Sequence, residues 1–277
     1  MKQTIRVIVN PIRPSNRIRL DHQIITIRLR VGFFIDHSRK ISYNGVLLIN
    51  EIIHMQNIIE LVQDRFENAE IFNNDENNAI IPVNFNIHPS SKVLFVVGSN
   101  ASGKSVVGKI VEYVANDAQV TKRSCSMRNR TSGSFGQRMI FGDEADSSTG
   151  MNSVSSAIKG IQATVDETNS VLILDEPDLG LADEYSSALG QYIAQNINEH
   201  HEKLGLIVVI SHSRKLVNYA LKELVVPYSS VFVGDANKTF ENWLDEDFKP
   251  ATIEELLGLK AKNHETWKRI EGLNRDD

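Results

Sequence analysis

The stretch KVLFVVGSNASGKSVVGKIV, residues 92–111, predicts a buried strand, a glycine-containing turn and a helix in direct succession. Apolar residues fill the segment before Gly98, and after Ser105 they recur at helical spacing. Between these elements, Gly98, four further residues and Gly103-Lys104-Ser105 match the pattern of a phosphate-binding loop. Because glycine allows a close backbone approach, successive N–H groups can face a phosphate at the start of the helix. The stretch therefore predicts a phosphate site at the end of a strand.

The residues of this loop have expected parts in holding a nucleotide. Lys104 is expected to reach the β- and γ-phosphates, and the Ser105 hydroxyl is expected to bind Mg²⁺. The other expected nucleotide contacts are Gly98, Ser99, Asn100, Ala101, Ser102, Gly103 and Val106. Taken alone, such a loop suits a kinase as well as an ATPase.

A second apolar run, VLILDE at residues 171–176, ends in two adjacent carboxylates. Acidic residues at the carboxyl end of a strand lie where α/β sheets bind their ligands. Asp175 is the expected Mg²⁺ partner of Ser105, and Glu176 is the candidate general base that polarises a water molecule. A strand that simply ends in solvated acids is the plainer interpretation of the same residues.

Two further apolar runs, LIVVIS at 206–211 and SVFVGD at 230–235, have the length and the bounds of buried strands. Together with the runs at 92–98 and 171–176, they alternate with segments of helical periodicity. Buried strands separated by helices indicate an α/β fold with a mainly parallel central sheet. The predicted fold class is therefore a P-loop NTPase, with its core at residues 79–235.

The loop GSNASGKS, followed by LILDEP and then by VVISHS, resembles the nucleotide-binding domain of the ATP-binding-cassette (ABC) superfamily. The resemblance covers roughly residues 80–235. It implies that the chain binds ATP and Mg²⁺ and hydrolyses ATP to ADP and phosphate. It also implies catalytic parts for Lys104 and Glu176, and a contact between His212 and the γ-phosphate.

Members of this superfamily clamp ATP between two subunits, each of which receives a signature segment from the other. The resemblance therefore implies a homodimer joined through an ATP sandwich. It implies that Asp183, one position later than the usual pattern, contacts the partner chain. It also implies that Gln137 senses Mg²⁺ and the γ-phosphate.

The signature sequence LSGGQ does not occur in the chain. The best substitute is SSTG at residues 147–150. It precedes a segment of helical periodicity whose shared apolar face consists of Met151, Val154, Ile158, Ile161 and Val165. Ser148 is equally suited to capping that helix and to donating to a γ-phosphate in trans. Ser153 and Ser155 are the fallback positions. The spacing from Ser148 to Asp175 resembles the structural-maintenance-of-chromosomes (SMC) and DNA-repair branch, although the segment between loop and signature is too short for that branch's coiled coil.

Two regions flank the predicted core. Residues 1–78 are rich in β-formers and predict an N-terminal lobe that ends in the polar loop NNDENN. Residues 236–277 predict an acidic helical C-terminal segment. Within it, Thr252 and Glu255 form a capping-box pattern, and Gly258 is expected to divide the helix.

Composition limits the partners and the compartment. A net charge of −5 gives no global argument for binding nucleic acid or a membrane. Residues 119–138 carry five Lys and Arg side chains and no acid, so direct DNA binding stays open beside a protein partner or ATP itself. One cysteine, Cys125, fits a reducing compartment, and no apolar run is long enough to cross a bilayer. We therefore expect a cytoplasmic protein with no membrane contact.

We compare four functions with these motifs. The favoured one is an ATPase switch whose sandwich dimer gates a separate effector protein. Its resemblance to compact SMC-like and overcoming-lysogeny-defect-like ATPases implies bacterial DNA repair or antiphage defence. The second is a non-catalytic module in which ATP holds an assembly together. The missing signature and the N-terminal lobe disfavour an ABC transporter ATP subunit, and Asp-Glu-Pro with the strand-end histidine disfavours a small-molecule kinase.

Overall fold

Six strands form the central sheet of the described chain, in a computed structural model. They are β1 (Val83–Asn86), β2 (Val93–Val97), β3 (Lys122–Ser126), β4 (Val171–Asp175), β5 (Leu206–Ser211) and β6 (Ser229–Val233). Their order across the sheet is β1-β6-β2-β5-β4-β3, and each adjacent pair is parallel except β1 with β6. The prediction of an α/β fold with a mainly parallel sheet is confirmed.

The structure describes residues 57–72, 79–126, 148–247 and 249–273. Most of the expected N-terminal lobe, Gln137 and the part of the basic run beyond Ser126 lie outside these residues. The described helices are α1 (Ile58–Asn68), α2 (Lys104–Asp117), α3 (Thr149–Val165), α4 (Asp183–His200), α5 (Arg214–Glu223), α6 (Phe240–Asp245) and α7 (Ile253–Leu273), with a short 3₁₀ turn at Glu70–Phe72.

The hydrophobic core lies on both faces of the sheet. Along β2, Phe95 points into the cluster that α3, α4 and α5 cover, whereas its neighbours Leu94 and Val96 point into the cluster that α1 and α2 cover. Successive strand residues alternate between faces, and here both faces are dry. This explains why the central strands are uninterrupted apolar runs in the sequence.

The four strands predicted from apolar runs are present as β2, β4, β5 and β6, each within two residues of its predicted bounds. Two strands, β1 and β3, had no such signal. The β3 sequence KRSCS is polar, and only its last residue is buried, because β3 forms an edge of the sheet. β1 is the other edge, and its four residues are buried only in part.

The prediction of which residues of α3 are buried is wrong in part. The periodicity places Met151 on the buried face, but this residue is 66% exposed, whereas Ile161 and Val165 are buried as expected. The buried stripe of α3 instead contains small residues such as Ser153 and Gly160. A Cβ at Gly160 would lie 2.8 Å from the Sγ of Cys125, so the close approach of α3 to the sheet requires small side chains.

The C-terminal segment is helical, and one expectation about it is wrong. Thr252 and Glu255 form the predicted capping box: the Glu255 amide donates to the Thr252 hydroxyl at 3.1 Å, and the Thr252 amide donates to the Glu255 carboxylate at 2.7 Å. Gly258 does not divide the helix, because α7 continues from Ile253 to Leu273. One glycine costs a helix only about 1 kcal/mol, which neighbouring packing can offset. Among the described helices, none has the length and apolar character needed to span a bilayer.

Candidate functional site

The predicted functional segments meet at one edge of the sheet. The turn that we call the glycine loop (residues 98–103) follows β2, Asp175 ends β4, and His212 follows β5. Val97 is in register with Ser211, and Ile210 is in register with Asp175. Parallel neighbours end at the same edge, so these segments are brought together by the topology.

A cavity of about 360 Å³ lies at this edge. Its lining residues are Asn100, Ala101, Ser102, Gly103, Lys104, Ser105, Val106, Asp175, Glu176, Leu259, Lys260, Asn263 and Trp267. The volume is in the range of small-molecule sites in proteins. Most of the predicted nucleotide contacts therefore share one cavity with both predicted carboxylates.

Two glycines of the loop have no room for a side chain. Gly98 has a φ of 150°, and a Cβ there would lie 2.3 Å from the carbonyl oxygen of Val233. Gly103 has a φ of 105°, in the region that favours glycine, and a Cβ there would lie 2.9 Å from the side chain of Ile81. The loop backbone is therefore packed closely against its neighbours on one side while its other side lines the cavity.

The middle of the loop holds two unusual features. Ala101 has a left-handed backbone with a φ of 58°, which costs an L-residue about 1–2 kcal/mol. The Ser102 side chain is 6% exposed, and its hydroxyl is the only buried side-chain polar atom without a hydrogen-bond partner among the described residues. Strained backbone and unsatisfied buried polar atoms are concentrated at ligand-binding sites.

Lys104 is buried beneath the loop. Its ammonium donates to the carbonyl oxygens of Gly98 and Ser99 at 2.9 and 2.8 Å, and the residue is only 7% exposed. Burial lowers the pKa of Lys104, while the carboxylates of Glu176 and Asp175 act in the opposite direction. The two oxygens fix the cation at the cavity wall, although Gly98 and Ser99 themselves do not line the cavity.

The two acidic residues that line the cavity, Asp175 and Glu176, have different backbone conformations. Asp175 is the last residue of β4, while Glu176 has a left-handed φ of 52° and its amide donates to the Ile210 carbonyl at 2.8 Å. This bend breaks the alternation of the strand, so that neighbouring side chains both face the same space. The sequence contains no signal for this bend.

His212 pairs with the candidate base. Its Nδ1 lies 3.4 Å from Oε1 of Glu176. The hydrogen bond that His212 donates to Glu176 raises the pKa of His212, while burial lowers it and the nearby charge of Asp178 raises it further. His212 does not line the cavity, so within one chain it contacts the cavity through Glu176.

Sequence reasoning missed Asp178. This residue is 8% exposed and accepts from the hydroxyls of Ser211 at 3.2 Å and Ser186 at 3.3 Å. It thereby joins the end of β5, immediately before His212, to the first turn of α4. The only signal was a third acid in the DEPD stretch, which the predicted roles of Asp175 and Glu176 left unused.

In the candidate signature segment, Ser148 caps helix α3. The Ser148 hydroxyl accepts from the Met151 amide at 3.4 Å at the start of α3. Ser153 is buried, and its hydroxyl donates to the Leu179 carbonyl at 3.0 Å, so it is not presented at the surface. Ser155 is half-exposed on the same helix.

Asp183 is exposed in the first turn of α4, close in the chain to the turn on which α3 packs. A Cβ at Gly150 would lie 2.5 Å from the carbonyl oxygen of Gly180, so the start of α3 lies against this turn. Neither Ser148 nor Asp183 lines the cavity of its own chain. Gln137 lies outside the described residues.

The third group of cavity residues was not predicted at all. Leu259, Lys260, Asn263 and Trp267 come from α7, which the sequence placed in a separate C-terminal segment. No sequence motif marks these residues. Their position results from packing between segments more than 140 residues apart in the chain.

No protein-family model matches the chain, and no curated protein matches it significantly.

Proposed function

We propose that this chain binds ATP with Mg²⁺ at the glycine loop and hydrolyses it to ADP and phosphate, within the P-loop NTPase fold class and on the ABC superfamily pattern. The observation that carries the proposal is one cavity lined by Lys104, Ser105, Asp175 and Glu176, which come from two separate strand ends. A glycine-containing loop, a buried cation and two carboxylates are groups that phosphoryl transfer uses.

Phosphate binding would rest on the loop. Gly98 and Gly103 let the loop backbone pack against Val233 and Ile81, and the other side of the loop, at residues 100–103, borders the cavity where phosphate oxygens would approach. The backbone amides at the start of α2 are donors for these oxygens. Lys104 adds a fixed positive charge beside them.

Ser105 and Asp175 are the residues that would hold Mg²⁺. Both line the cavity and offer a hydroxyl and a carboxylate oxygen, the donors that this hard cation prefers. Within the described ranges, no three His, Cys, Asp or Glu side chains are grouped so as to hold a metal by themselves. This donor set fits an ion whose coordination is completed by phosphates and water. When bound, Mg²⁺ would neutralise part of the phosphate charge.

Glu176 would act as general base in the hydrolysis. It accepts a proton from water as the water oxygen forms a bond to the γ-phosphorus. The bond from that phosphorus to the bridging oxygen breaks, and ADP leaves with the electron pair. His212, 3.4 Å away, orients the Glu176 carboxylate and contributes positive charge near the terminal phosphate.

Two chains would join head to tail around two nucleotides. The exposed start of α3, with Ser148, and the exposed Asp183 beside it are available to a second copy because neither is used by the cavity of its own chain. Opening of this dimer after hydrolysis would gate a separate effector protein, with DNA as a further candidate ligand. By resemblance, the setting would be bacterial DNA repair or antiphage defence.

A non-catalytic role is the second candidate. Ser148 is engaged as a helix cap, and a signature that serves only as a cap would leave the sandwich without its trans donor. ATP would then stabilise an assembly by mass action without turnover.

Glu176→Gln tests the proposal, with Glu184→Gln in the exposed first turn of α4 as the matched control. We expect Glu176→Gln to slow phosphate release from Mg-ATP by about 100-fold or more, since it removes the proton acceptor. ATP binding should persist, and light scattering should show a larger ATP-dependent dimer fraction. Wild-type-like turnover of Glu176→Gln would rule out its role as base. ATP binding without any turnover in the wild type would favour the non-catalytic module.

A further inference from the structure

We infer that the C-terminal helix α7 is part of the nucleotide site, with Lys260 binding phosphate and Trp267 stacking on the base. The inference rests on the proposed function and extends it to a helix that lies outside the predicted core. Its starting point is the cavity lining, in which α7 supplies the wall that the strand ends do not.

The second half of α7 is anchored beside the start of α2. The Nζ atom of Lys109 lies 4.9 Å from the centroid of the Trp267 ring. Ile270 packs against the hydrophobic cluster that α1 and α2 cover, and the Arg269 guanidinium donates to the Ala79 carbonyl at 3.4 Å. Since Lys109 is one helical turn beyond Ser105, these contacts place the Trp267 end of α7 beside the first turns of α2.

The cavity residues of α7 form one face of the helix. Lys260, Asn263 and Trp267 are spaced by three and four residues, which is the spacing of neighbours along a helix surface. The helix starts differently: Ile253, Leu256 and Leu257 precede this face and are highly exposed. Partial burial of α7 begins at Leu259, where the helix reaches the cavity, whereas Lys260 and Asn263 stay exposed.

A second cation, Lys260, lines the cavity beside Lys104. Its lining holds two carboxylates, Asp175 and Glu176, and two ammonium groups, Lys104 and Lys260. Lys104 already donates to two loop carbonyls. Lys260 is exposed and forms no ion pair with any residue that the structure describes. A polyphosphate that enters beside two carboxylates is repelled by them, and Lys260 is the lining cation that can turn towards it.

Trp267 provides the aromatic surface of the cavity. It is half-buried, and the Lys109 ammonium lies over the ring, so a base would stack on the part of the ring that borders the cavity. Aromatic faces stack on nucleobases with little dependence on base identity. Asn263, one turn before it, offers an amide for a polar edge of the nucleoside.

Lys260→Gln tests the phosphate contact, with Lys262→Gln as the matched control on the same helix outside the cavity lining. By calorimetry with Mg-ATP, we expect Lys260→Gln to weaken binding about tenfold, as for the loss of one charge-assisted hydrogen bond. Lys262→Gln should bind as the wild type does. Equal affinities for the two variants would overturn the role of Lys260, and tighter binding by Lys260→Gln would show that α7 obstructs the site.

Tryptophan fluorescence tests the base contact directly. The chain has two tryptophans, and Trp243 is buried in a separate aromatic cluster with Phe240. In Trp243→Phe, Mg-ATP should change the remaining Trp267 emission, whereas Trp267→Phe should show no change. A nucleotide response that persists in Trp267→Phe and vanishes in Trp243→Phe would overturn the stacking contact.

Lys104→Ala separates the two proposals. If wild type and Lys104→Ala both fail to bind Mg-ATP, the proposed function itself is wrong. If the wild type binds, Lys104→Ala does not, and the α7 variants match the wild type, then only the inference about α7 fails.

Discussion

Nδ1 of His212 lies 3.4 Å from Oε1 of Glu176, across the ends of the adjacent parallel strands β5 and β4. The pair joins the only strand-end histidine of the described site to its candidate base. Asp178 accepts a hydrogen bond from the hydroxyl of Ser211, the residue before His212. The Ile210 carbonyl accepts one from the Glu176 amide. The geometry of the two side chains is therefore set by hydrogen bonds from both strands.

This pair predicts a pH dependence of stability. The hydrogen bond to Glu176 raises the pKa of His212, so the pair stabilises the fold below the ordinary histidine value of 6.5 and that stabilisation is lost as pH rises through the raised pKa. Because the His212 side chain is 46% exposed, the effect should be at most about 1 kcal/mol. Urea unfolding of the wild type, His212→Gln, Glu176→Gln and the double variant gives the coupling energy. We expect it at pH 6 and not at pH 9; a coupling that is equal at both values would contradict the pairing.

Replacement of glycine by alanine should have opposite effects on the free energy of unfolding at Gly98 and at Gly258. Gly98→Ala should lower the free energy of unfolding by about 2 kcal/mol or more, because the new Cβ would lie 2.3 Å from a backbone oxygen that cannot move aside. Gly258→Ala should raise it by up to about 1 kcal/mol, since α7 leaves open space there and alanine favours a helix. Thermal denaturation followed by circular dichroism measures both. Destabilisation by Gly258→Ala would mean that α7 is not a continuous helix at this position.

Much of the fold could be predicted from the sequence because the central strands are buried on both faces. β2, β4, β5 and β6 are almost entirely apolar or buried, and a short apolar run with turn residues at its ends is typical of a buried strand. The edge strand β3 could not be predicted, since a half-exposed strand needs no apolar pattern. The site divides in the same way. Residues 100–106 and the pair Asp175 and Glu176 line the cavity as their motifs predicted, whereas the α7 wall depends on tertiary packing that no local pattern encodes.

The left-handed backbone at Ala101 predicts a stabilising substitution within the glycine loop. Ala101→Gly should raise the free energy of unfolding by about 1 kcal/mol, because glycine adopts a φ of 58° without the steric cost of a Cβ. Ala115→Gly, at a buried position inside α2, should lower it by about the same amount. Chemical denaturation of both variants checks the difference in sign. If both substitutions destabilise equally, the backbone at Ala101 is not strained.

Asp178 predicts a positioning role for a buried carboxylate. Asp178→Asn keeps the shape of the side chain but removes a negative charge that helps to raise the pKa of His212, so the titration midpoint of His212 should fall. Asp178→Ala should in addition lower the free energy of unfolding by about 2 kcal/mol, since the buried hydroxyls of Ser211 and Ser186 lose their acceptor. Glu184→Gln, in the exposed first turn of α4, is the control with an equal change of charge.

NMR titration of the histidine ring protons measures the midpoint, and the His212→Gln spectrum assigns the His212 signal. We expect a lower midpoint in Asp178→Asn and the wild-type midpoint in Glu184→Gln. The pH profile of phosphate release should shift in the same direction in Asp178→Asn, because His212 orients Glu176 in the proposed mechanism. A midpoint that stays in place in Asp178→Asn would show that Asp178 serves the fold alone and does not tune the histidine.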